Sequence, residues 1–302
     1  MKFLLLIILI FSVLATSVRG DENNTPLTEL FDILETEWLY PLDKDAVRRC
    51  AANEHIVTIP ECFVEKDLYM YRYHNTTVAN AAFLLETIPS GIDGALFGSI
   101  TMTNNIPNDK GMDMYLLPYL QRMRNEGIEA FLINMNKNRG GFVSGIAAFL
   151  RYFVSVPDDN EKLLFEMQRR NRKPERHIAV RSGVAANACV AVLVNKETIS
   201  APETITHALQ QMGAYVVGEI TAKKGVAQKP YTLRDGAIIM FTSGRIHFPD
   251  GSTIDGIGVI PDYITSNPHT QREKAMAYLR RCYAEKQAAR NRLPELTVSA
   301  HP

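Results

Sequence analysis

ACVAVLVNKETISAPETITHALQQMGAYVV, residues 188–217, places an amphipathic segment between two apolar runs. The run at 188–194 is short and uniformly apolar, which is typical of a strand buried on both faces. The segment 201–212 has apolar residues at helical spacing and is followed by Gly213, a frequent helix terminator. Residues 214–217 again have a strand pattern. This strand–helix–strand order predicts a mostly parallel sheet covered by helices.

The same alternation extends along the chain from Gly94. It predicts strands at 95–103 and 130–135, and helices at 110–126, from Gly140-Gly141 to Phe153, and at 271–290. Other patterns predict a helix at 78–85, a partly helical charged insert at 157–175, and a hairpin of 237–241 with 245–248 around Ser243-Gly244. Near the start, Thr25-Pro26 begins a helix whose apolar stripe is Leu27, Leu30, Phe31, Leu34 and Trp38.

Composition limits the function classes. The 302 residues are 46% hydrophobic and 22% charged, which is ordinary for a globular protein with a sizeable core. Lysine and arginine total 33, as do aspartate and glutamate, so the net charge favours neither nucleic acid nor an anionic membrane.

The first 20 residues differ in kind from the rest. Lys2 precedes an apolar run, and small and polar residues then lead to Gly20, which is the layout of a secretory signal peptide. We therefore expect a signal peptide at 1–20, followed by an N-terminal helical segment at 21–93 and an α/β core at 94–302. The mature chain is expected to be secreted or periplasmic, with no membrane span after signal removal. An uncleaved N-terminal anchor is the alternative.

The four cysteines are too few for a disulfide scaffold. Cys50 and Cys62 are close in a polar, turn-rich region, so a local disulfide is plausible in an oxidising compartment. Cys189 lies in the apolar run and is interpreted as a buried strand residue. No residues have metal-ligand spacing, and the sequence indicates neither a metal nor a cofactor.

Ser200 begins the amphipathic segment at 201–212. A serine in that position is commonly a helix N-cap. It can also be a nucleophile, because the helix N-terminus stabilises developing negative charge and the Ala201 amide can donate to an oxyanion.

Lys224 is the candidate general base. A free lysine has a pKa near ~10.4, so burial would have to lower that pKa by about three units for catalysis near neutral pH. Gln228 could orient the amine through its side-chain carbonyl. Alternatively, Lys223-Lys224 is a solvated loop.

Gly140-Gly141 follows a buried strand and precedes a helix. The pair is either a tight turn or a place where backbone amides face an anion. It matches neither the dinucleotide fingerprint nor the phosphate loop, so nucleotide binding has little support.

Together these motifs resemble the carboxy-terminal processing (tail-specific) serine peptidases, over 94–262. The residues that carry the resemblance are Ser200-Ala201-Pro202-Glu203, Val217-Gly218-Glu219-Ile220-Thr221, Lys224-Gly225-Val226-Ala227-Gln228, Pro249-Asp250-Gly251 and Gly258-Val259-Ile260-Pro261-Asp262. The resemblance implies an α/β fold with a ClpP/crotonase-like core of stacked ββα units. It also implies that Ser200 is the nucleophile, Lys224 the base, Gln228 its positioning residue, and Gly141 and Ala201 the oxyanion donors.

Two features depart from the family pattern. The family motif Asp-Leu-Arg-x-Asn-x-Gly-Gly corresponds to residues 134–141. In this sequence Asn134 replaces the aspartate of the motif and Asn136 replaces its arginine. Losing both charges leaves no unpaired buried charge, so the local geometry can survive. The segment before Gly94 has no room for the PDZ domain that these peptidases often carry, which puts recognition of a substrate's C-terminal tail in doubt.

The sequence therefore predicts an exported serine endopeptidase with a Ser-Lys dyad, acting on a protein or peptide substrate. The alternative is a non-catalytic binding module on the same core, because fold does not fix function. The two asparagines and the missing PDZ domain favour the alternative, whereas the intact Ser200, Lys224 and Gln228 favour the peptidase. The sequence does not predict the oligomeric state.

Overall fold

The structure is a computed structural model that describes residues 26–45, 71–73, 82–103, 105–157, 160–234, 236 and 238–298. The predicted signal peptide and the predicted Cys50–Cys62 pair lie outside these residues. The chain divides into two compact units, one of 1–75 with 230–240 and one of 76–229 with 241–302.

The first unit contains helix α1 (Pro26–Glu37) and the short strand β1 (Tyr71–Tyr73). β1 pairs antiparallel with residues 238–240 of strand β10 (Ile238–His247). The predicted apolar stripe of α1 is buried at Leu30, Phe31, Leu34 and Trp38.

The second unit is built on a six-stranded sheet in the order β11-β8-β7-β4-β3-β2. Its strands are β2 (Phe83–Pro89), β3 (Leu96–Met102), β4 (Ala130–Asn134), β7 (Cys189–Val194), β8 (Tyr215–Gly218) and β11 (Tyr263–Ile264). All neighbouring pairs are parallel except β2 with β3. β2 thus joins the core sheet although it precedes Gly94, the predicted start of the core.

Four of the described helices accompany this sheet: α2 (Asp109–Asn125), α3 (Val143–Phe153), α4 (Ala201–Gln211) and α5 (Pro268–Val298). Alternate strand residues point to opposite faces. Residues such as Phe131, Ile133 and Val192 therefore pack with α2, α3 and α4, whereas Leu132 and Leu193 pack with α5.

A smaller sheet contains β5 (Lys162–Gln168) and β6 (Glu175–Ala179), with β10 next to β5. β9 (Val226–Thr232) also pairs with β10. β6 pairs only with β5 among the described strands, so it is an edge strand.

A disulfide joins Cys189 on β7 to Cys282 on α5, with the two Cα atoms 6.0 Å apart. The interpretation of Cys189 as a buried strand residue is correct, since it is 1% exposed, but no sequence pattern indicates Cys282 as its partner. The bond fastens the C-terminal helix to the central strand that leads to Ser200.

Three secondary-structure predictions are wrong. Residues 83–85 belong to strand β2 and not to a helix, and the charged insert contains strand β5. The predicted hairpin around Ser243-Gly244 is one continuous strand, β10. A Cβ at Gly244 would lie 2.7 Å from Met167 Cγ, so the glycine permits close approach of β5 and makes no turn.

None of the described helices combines the length and apolarity that a bilayer span requires.

Candidate active site

Ser200 stands where the loop after β7 enters α4. Its backbone has φ 71° and ψ −119°, an unusual conformation for a residue with a side chain. Such strain, of order 1–3 kcal/mol, persists only when neighbouring groups impose it, and it occurs preferentially at functional sites. Here Glu203 Oε2 accepts the Ser200 amide at 2.7 Å, and the Ser200 carbonyl accepts the amides of Glu203 and Thr204.

Glu203 is fully buried, and its carboxylate accepts four hydrogen bonds. Oε2 accepts the amides of Ser200 at 2.7 Å and Lys224 at 3.0 Å. Oε1 accepts the Thr221 hydroxyl at 2.5 Å and the Lys223 amide at 2.7 Å. The position in the first turn of α4 also favours a negative charge. Glu203 therefore fastens the start of α4 to the loop that carries Lys224.

The Lys224 amine donates a hydrogen bond to Gln228 Oε1, the pairing that the sequence predicts. Lys224 precedes β9, and Gln228 lies on that strand. Lys224 as a whole residue is partly buried. The loop itself is tightly seated, because a Cβ at Gly225 would lie 2.3 Å from the Asp255 amide nitrogen.

The glycine turn lies beside Ser200. A Cβ at Gly140 would be 3.7 Å from Ser200 Oγ. Gly141 forms a parallel bridge with Ile106, in which Gly140 O accepts the Ile106 amide at 2.7 Å and Ile106 O accepts the Phe142 amide at 3.0 Å. Because successive amides of an extended chain alternate in direction, the Gly141 N–H points away from Ile106.

Glycine is required at position 141. Its φ is 151°, and a Cβ there would lie 2.2 Å from Ile106 O. Within the described chain, the amides of Gly141 and Ala201 donate to no acceptor. The Ala201 amide is one of the unpaired donors that begin every helix. Both amides are thus available to an anionic oxygen.

Asn138 holds the glycine turn against the Ser200 loop. Its carbonyl accepts the Ile199 amide at 3.0 Å, and its Oδ1 accepts the Gly140 amide at 3.2 Å. The side chain is 1% exposed, and its Nδ2 donates to Met102 O. Asn138 stands at the asparagine of the family motif Asp-Leu-Arg-x-Asn-x-Gly-Gly, but the motif alone does not indicate this role.

The two asparagines that depart from the family pattern form an uncharged network. Asn134 Oδ1 accepts the Asn136 amide at 3.0 Å, and Asn136 Nδ2 donates to Gln271 Oε1 at 3.1 Å. Gln271, on α5, is 2% exposed and donates to Thr265 O. The uncharged pair Asn134 and Asn136 is therefore completed by Gln271, which accepts the hydrogen bond from Asn136. No local sequence motif indicates Gln271.

In the sequence, Glu203 is noted only as the last residue of the motif Ser200-Ala201-Pro202-Glu203, and its role in the site is not predicted. The signal that could have found it is the Ser-x-x-Glu spacing of a capping box. That pattern predicts the bond to the Ser200 amide but not the bonds to residues 221–224, which depend on the tertiary fold.

No group of three or more histidine, cysteine, aspartate or glutamate side chains in the described residues could hold a metal ion.

The fold and the family comparison together define the class of this protein. A strained serine at the start of α4 and a glycine turn lie after the carboxyl ends of the central parallel strands β7 and β4, and each contributes one available amide, Ala201 and Gly141 respectively. A model of peptidase family S41 matches residues 97–265, more than half of the chain. The chain belongs to this serine peptidase family, and the resemblance to carboxy-terminal processing peptidases is confirmed.

Curated relatives match about half of the chain. Carboxyl-terminal-processing peptidase 1, chloroplastic, of Arabidopsis thaliana is 31% identical over 147 residues, covering 48% of this chain and 29% of the relative. Carboxy-terminal processing protease CtpB of Bacillus subtilis is 26% identical over 162 residues, covering 51% and 33% respectively. The chain thus spans about a third of the length of these relatives.

Solved structures share the fold. The photosystem II D1 C-terminal processing protease superposes with a TM-score of 0.52 at 21% identity, covering 63% of this chain and 50% of that one. A lipoprotein from Streptococcus agalactiae superposes with a TM-score of 0.62 at 15% identity, covering 87% and 99%. These likenesses, with the family match, confirm the predicted α/β, ClpP-like core.

Proposed function

We propose that this protein is an exported serine endopeptidase in which Ser200 is the nucleophile and Lys224 the general base. The observation that carries the proposal is the shared contact with Glu203 Oε2, since the amides of Ser200 and Lys224 lie within hydrogen-bonding distance of one oxygen. A contact of this kind holds the two functional backbones in a defined relation to each other.

The reaction begins with attack of Ser200 Oγ on the carbonyl carbon of the scissile peptide bond. The neutral Lys224 amine accepts the hydroxyl proton as the new C–O bond forms. Gln228 Oε1 accepts a hydrogen bond from the amine and thereby orients it. Attack places a negative charge on the former carbonyl oxygen, which the amides of Gly141 and Ala201 stabilise.

Collapse of this intermediate breaks the C–N bond, and protonated Lys224 gives its proton to the leaving amine. The product is an acyl-enzyme on Ser200. Lys224, neutral again, accepts a proton from water as the water oxygen attacks the ester carbonyl. The ester C–O bond then breaks, protonated Lys224 returns the proton to Ser200 Oγ, and the carboxylic acid product leaves. The cycle needs no cofactor.

A histidine base has less support. His207 lies on α4, seven positions after Ser200, and its Nε2 is 3.2 Å from Ser252 Oγ. In contrast, the backbone amides of Lys224 and Ser200 donate to the same buried carboxylate, that of Glu203. The Lys224 amine is also oriented by the side-chain amide of Gln228.

Export has support beyond the sequence of residues 1–20. The Cys189–Cys282 bond joins two secondary-structure elements of the core, and such structural disulfides persist mainly in oxidising compartments. We therefore propose a secreted or periplasmic location.

Labelling tests the nucleophile. The purified chain is treated with a fluorophosphonate probe, digested and mapped by mass spectrometry, and cleavage of an unfolded protein substrate is assayed in parallel. We expect the adduct on Ser200 and no cleavage by Ser200→Ala. Cleavage retained by that variant would refute the proposal, and binding of peptides without cleavage by the wild type would favour a non-catalytic module.

A further inference from the structure

A groove runs along the outside of the core, between α2 and the segment that follows β6. One wall is a face of α2 that carries Asp109, Leu117 and Arg124, and the other contains Arg151 of α3 with Val180 and Arg181. We call it the α2 groove. Its volume is about 1340 Å³, which is more than a small metabolite needs.

The groove starts next to the candidate active site. Asp109, at its first end, donates its amide to Ser144 Oγ at 3.4 Å, and Ser144 follows the glycine turn by three residues. From Asp109 to Arg124 the helix spans about 23 Å, the length of about seven residues of extended chain. A polypeptide that extends from the active site could therefore lie along the groove.

The second wall presents backbone and apolar surface to such a chain. Val180 follows the edge strand β6, and the residue is 70% exposed. In the described structure, the backbone groups of Val180 and Arg181 make no hydrogen bonds. Free amides and carbonyls beside an edge strand suit an extended peptide, because peptides bind such edges through main-chain hydrogen bonds.

The groove also has excess positive charge. Arg124, Arg151 and Arg181 form no ion pair with any carboxylate of the described residues. Arg151 uses its Nε to donate to Ile178 O at 3.0 Å. Of the acids in the groove, Asp113 already accepts the Tyr152 hydroxyl at 2.6 Å. Guanidinium groups without acidic partners favour carboxylates on the incoming chain.

We propose that the α2 groove binds an extended segment of the polypeptide substrate through its carboxylates, outside the catalytic site. This rests on the proposed peptidase function, since that function makes the ligand a polypeptide. The carboxylates are either acidic side chains or the free C-terminus of the segment, and both would contact Arg124 and Arg181.

Binding is measured by fluorescence anisotropy on the full chain carrying Ser200→Ala, so that no cleavage occurs. Three labelled eight-residue peptides share valines at alternate positions. The first has glutamates between them and an amidated end, the second has glutamines and an amidated end, and the third has glutamines and a free carboxylate. We expect at least one of the two peptides that carry carboxylates to bind more tightly than the second peptide, which carries none. Tighter binding of the first indicates recognition of acidic side chains, and tighter binding of the third indicates recognition of the free C-terminus.

The key variant is the double substitution Arg124→Gln with Arg181→Gln. It should weaken binding of the preferred peptide about fivefold and leave the second peptide unchanged. Arg122→Gln is the matched control, since Arg122 lies on the same helix outside the groove and is 3.8 Å from Glu126. It should bind like the parent.

An unchanged dissociation constant in the double variant, or equal weakening by Arg122→Gln, would overturn the proposal. So would sedimentation showing a dimer that the double variant dissociates, because a second copy would then occupy the groove. The double variant with Ser200 intact should also cleave a short peptide at the parental rate. Failure of the parent itself on that peptide would count against the peptidase function and not against the groove.

Discussion

Ser200 and Lys224 donate their backbone amides to the same oxygen, Glu203 Oε2, at 2.7 and 3.0 Å. The two residues are 24 positions apart in sequence, and a buried carboxylate brings their backbones together. The other oxygen of Glu203 binds Thr221 and Lys223, so one side chain organises the whole loop.

Glu203→Gln should therefore lower both stability and activity. The amide group of glutamine would face two of the four donors, and an unsatisfied buried donor costs about 1–3 kcal/mol. We expect the free energy of unfolding in urea to fall by about 2–4 kcal/mol, with loss of peptide cleavage. Glu273→Gln, on the exposed surface of α5, should leave both unchanged. Equal stability of Glu203→Gln and the wild type would contradict the role of Glu203 as the anchor.

Gly141→Ala should disrupt the glycine turn. The new methyl would strike Ile106 O, and moving the turn would displace the Gly141 amide from the site. Loss of one oxyanion donor lowers kcat by about 10²–10³-fold. Gly251→Ala is the control, since Gly251 also has a positive φ but a Cβ there would meet no atom within 4 Å. Equal kcat values for the two variants would show that the turn contributes no donor.

Removal of the disulfide should lower stability. The Cys189–Cys282 bond closes a loop with a sequence separation of 93, and a loop of that size contributes about 4–5 kcal/mol. We expect the free energy of unfolding of the double variant Cys189→Ala with Cys282→Ala, measured in urea, to be lower by that amount, with a lower urea midpoint. This variant is preferable to a reducing agent, which would also break the predicted Cys50–Cys62 bond. An unchanged unfolding midpoint would show that the bond does not stabilise the core.

Stability should decrease as the pH falls below about 6.5. Burial lowers the pKa of His207, and the nearby Asp250 opposes this only in part. Burial also lowers the pKa of His177. The unfolded chain then binds protons that the folded chain does not, so acid favours unfolding.

Urea midpoints measured at about pH 7.5 and about pH 5 test this pH dependence. His207→Gln should reduce the difference between the two, whereas the exposed His269→Gln should not. A difference that is the same in all three proteins would exclude His207 as a contributor.

Much of the core could be predicted from sequence because its strands are buried on both faces. Such strands are continuous apolar runs, as at 189–194, and the intervening helices have clear amphipathic spacing. The errors fall where tertiary contacts override local pattern. Ser243-Gly244 is typical of a turn, yet Gly244 lies within β10 because β5 passes too close for a side chain.

The site was predictable to the extent that its residues lie in local motifs. Ser200, Lys224 and Gln228 follow from motif order, and the Lys224–Gln228 contact agrees with that prediction. Glu203 and Gln271 act through partners distant in sequence, at 221–224 and at Asn136. A single sequence contains no signal for such contacts.

The most direct test of the Ser200–Lys224 pair compares two adjacent lysines. Lys224→Gln and Lys223→Gln remove the same charge from the same loop, and circular dichroism and urea unfolding verify that both variants fold. We expect Lys224→Gln to lower kcat for a fluorogenic peptide by at least about 10²-fold and Lys223→Gln to retain activity. Lys224→Arg should also be inactive, because arginine stays protonated. Wild-type turnover by a folded Lys224→Gln protein would contradict the assignment of Lys224 as the base.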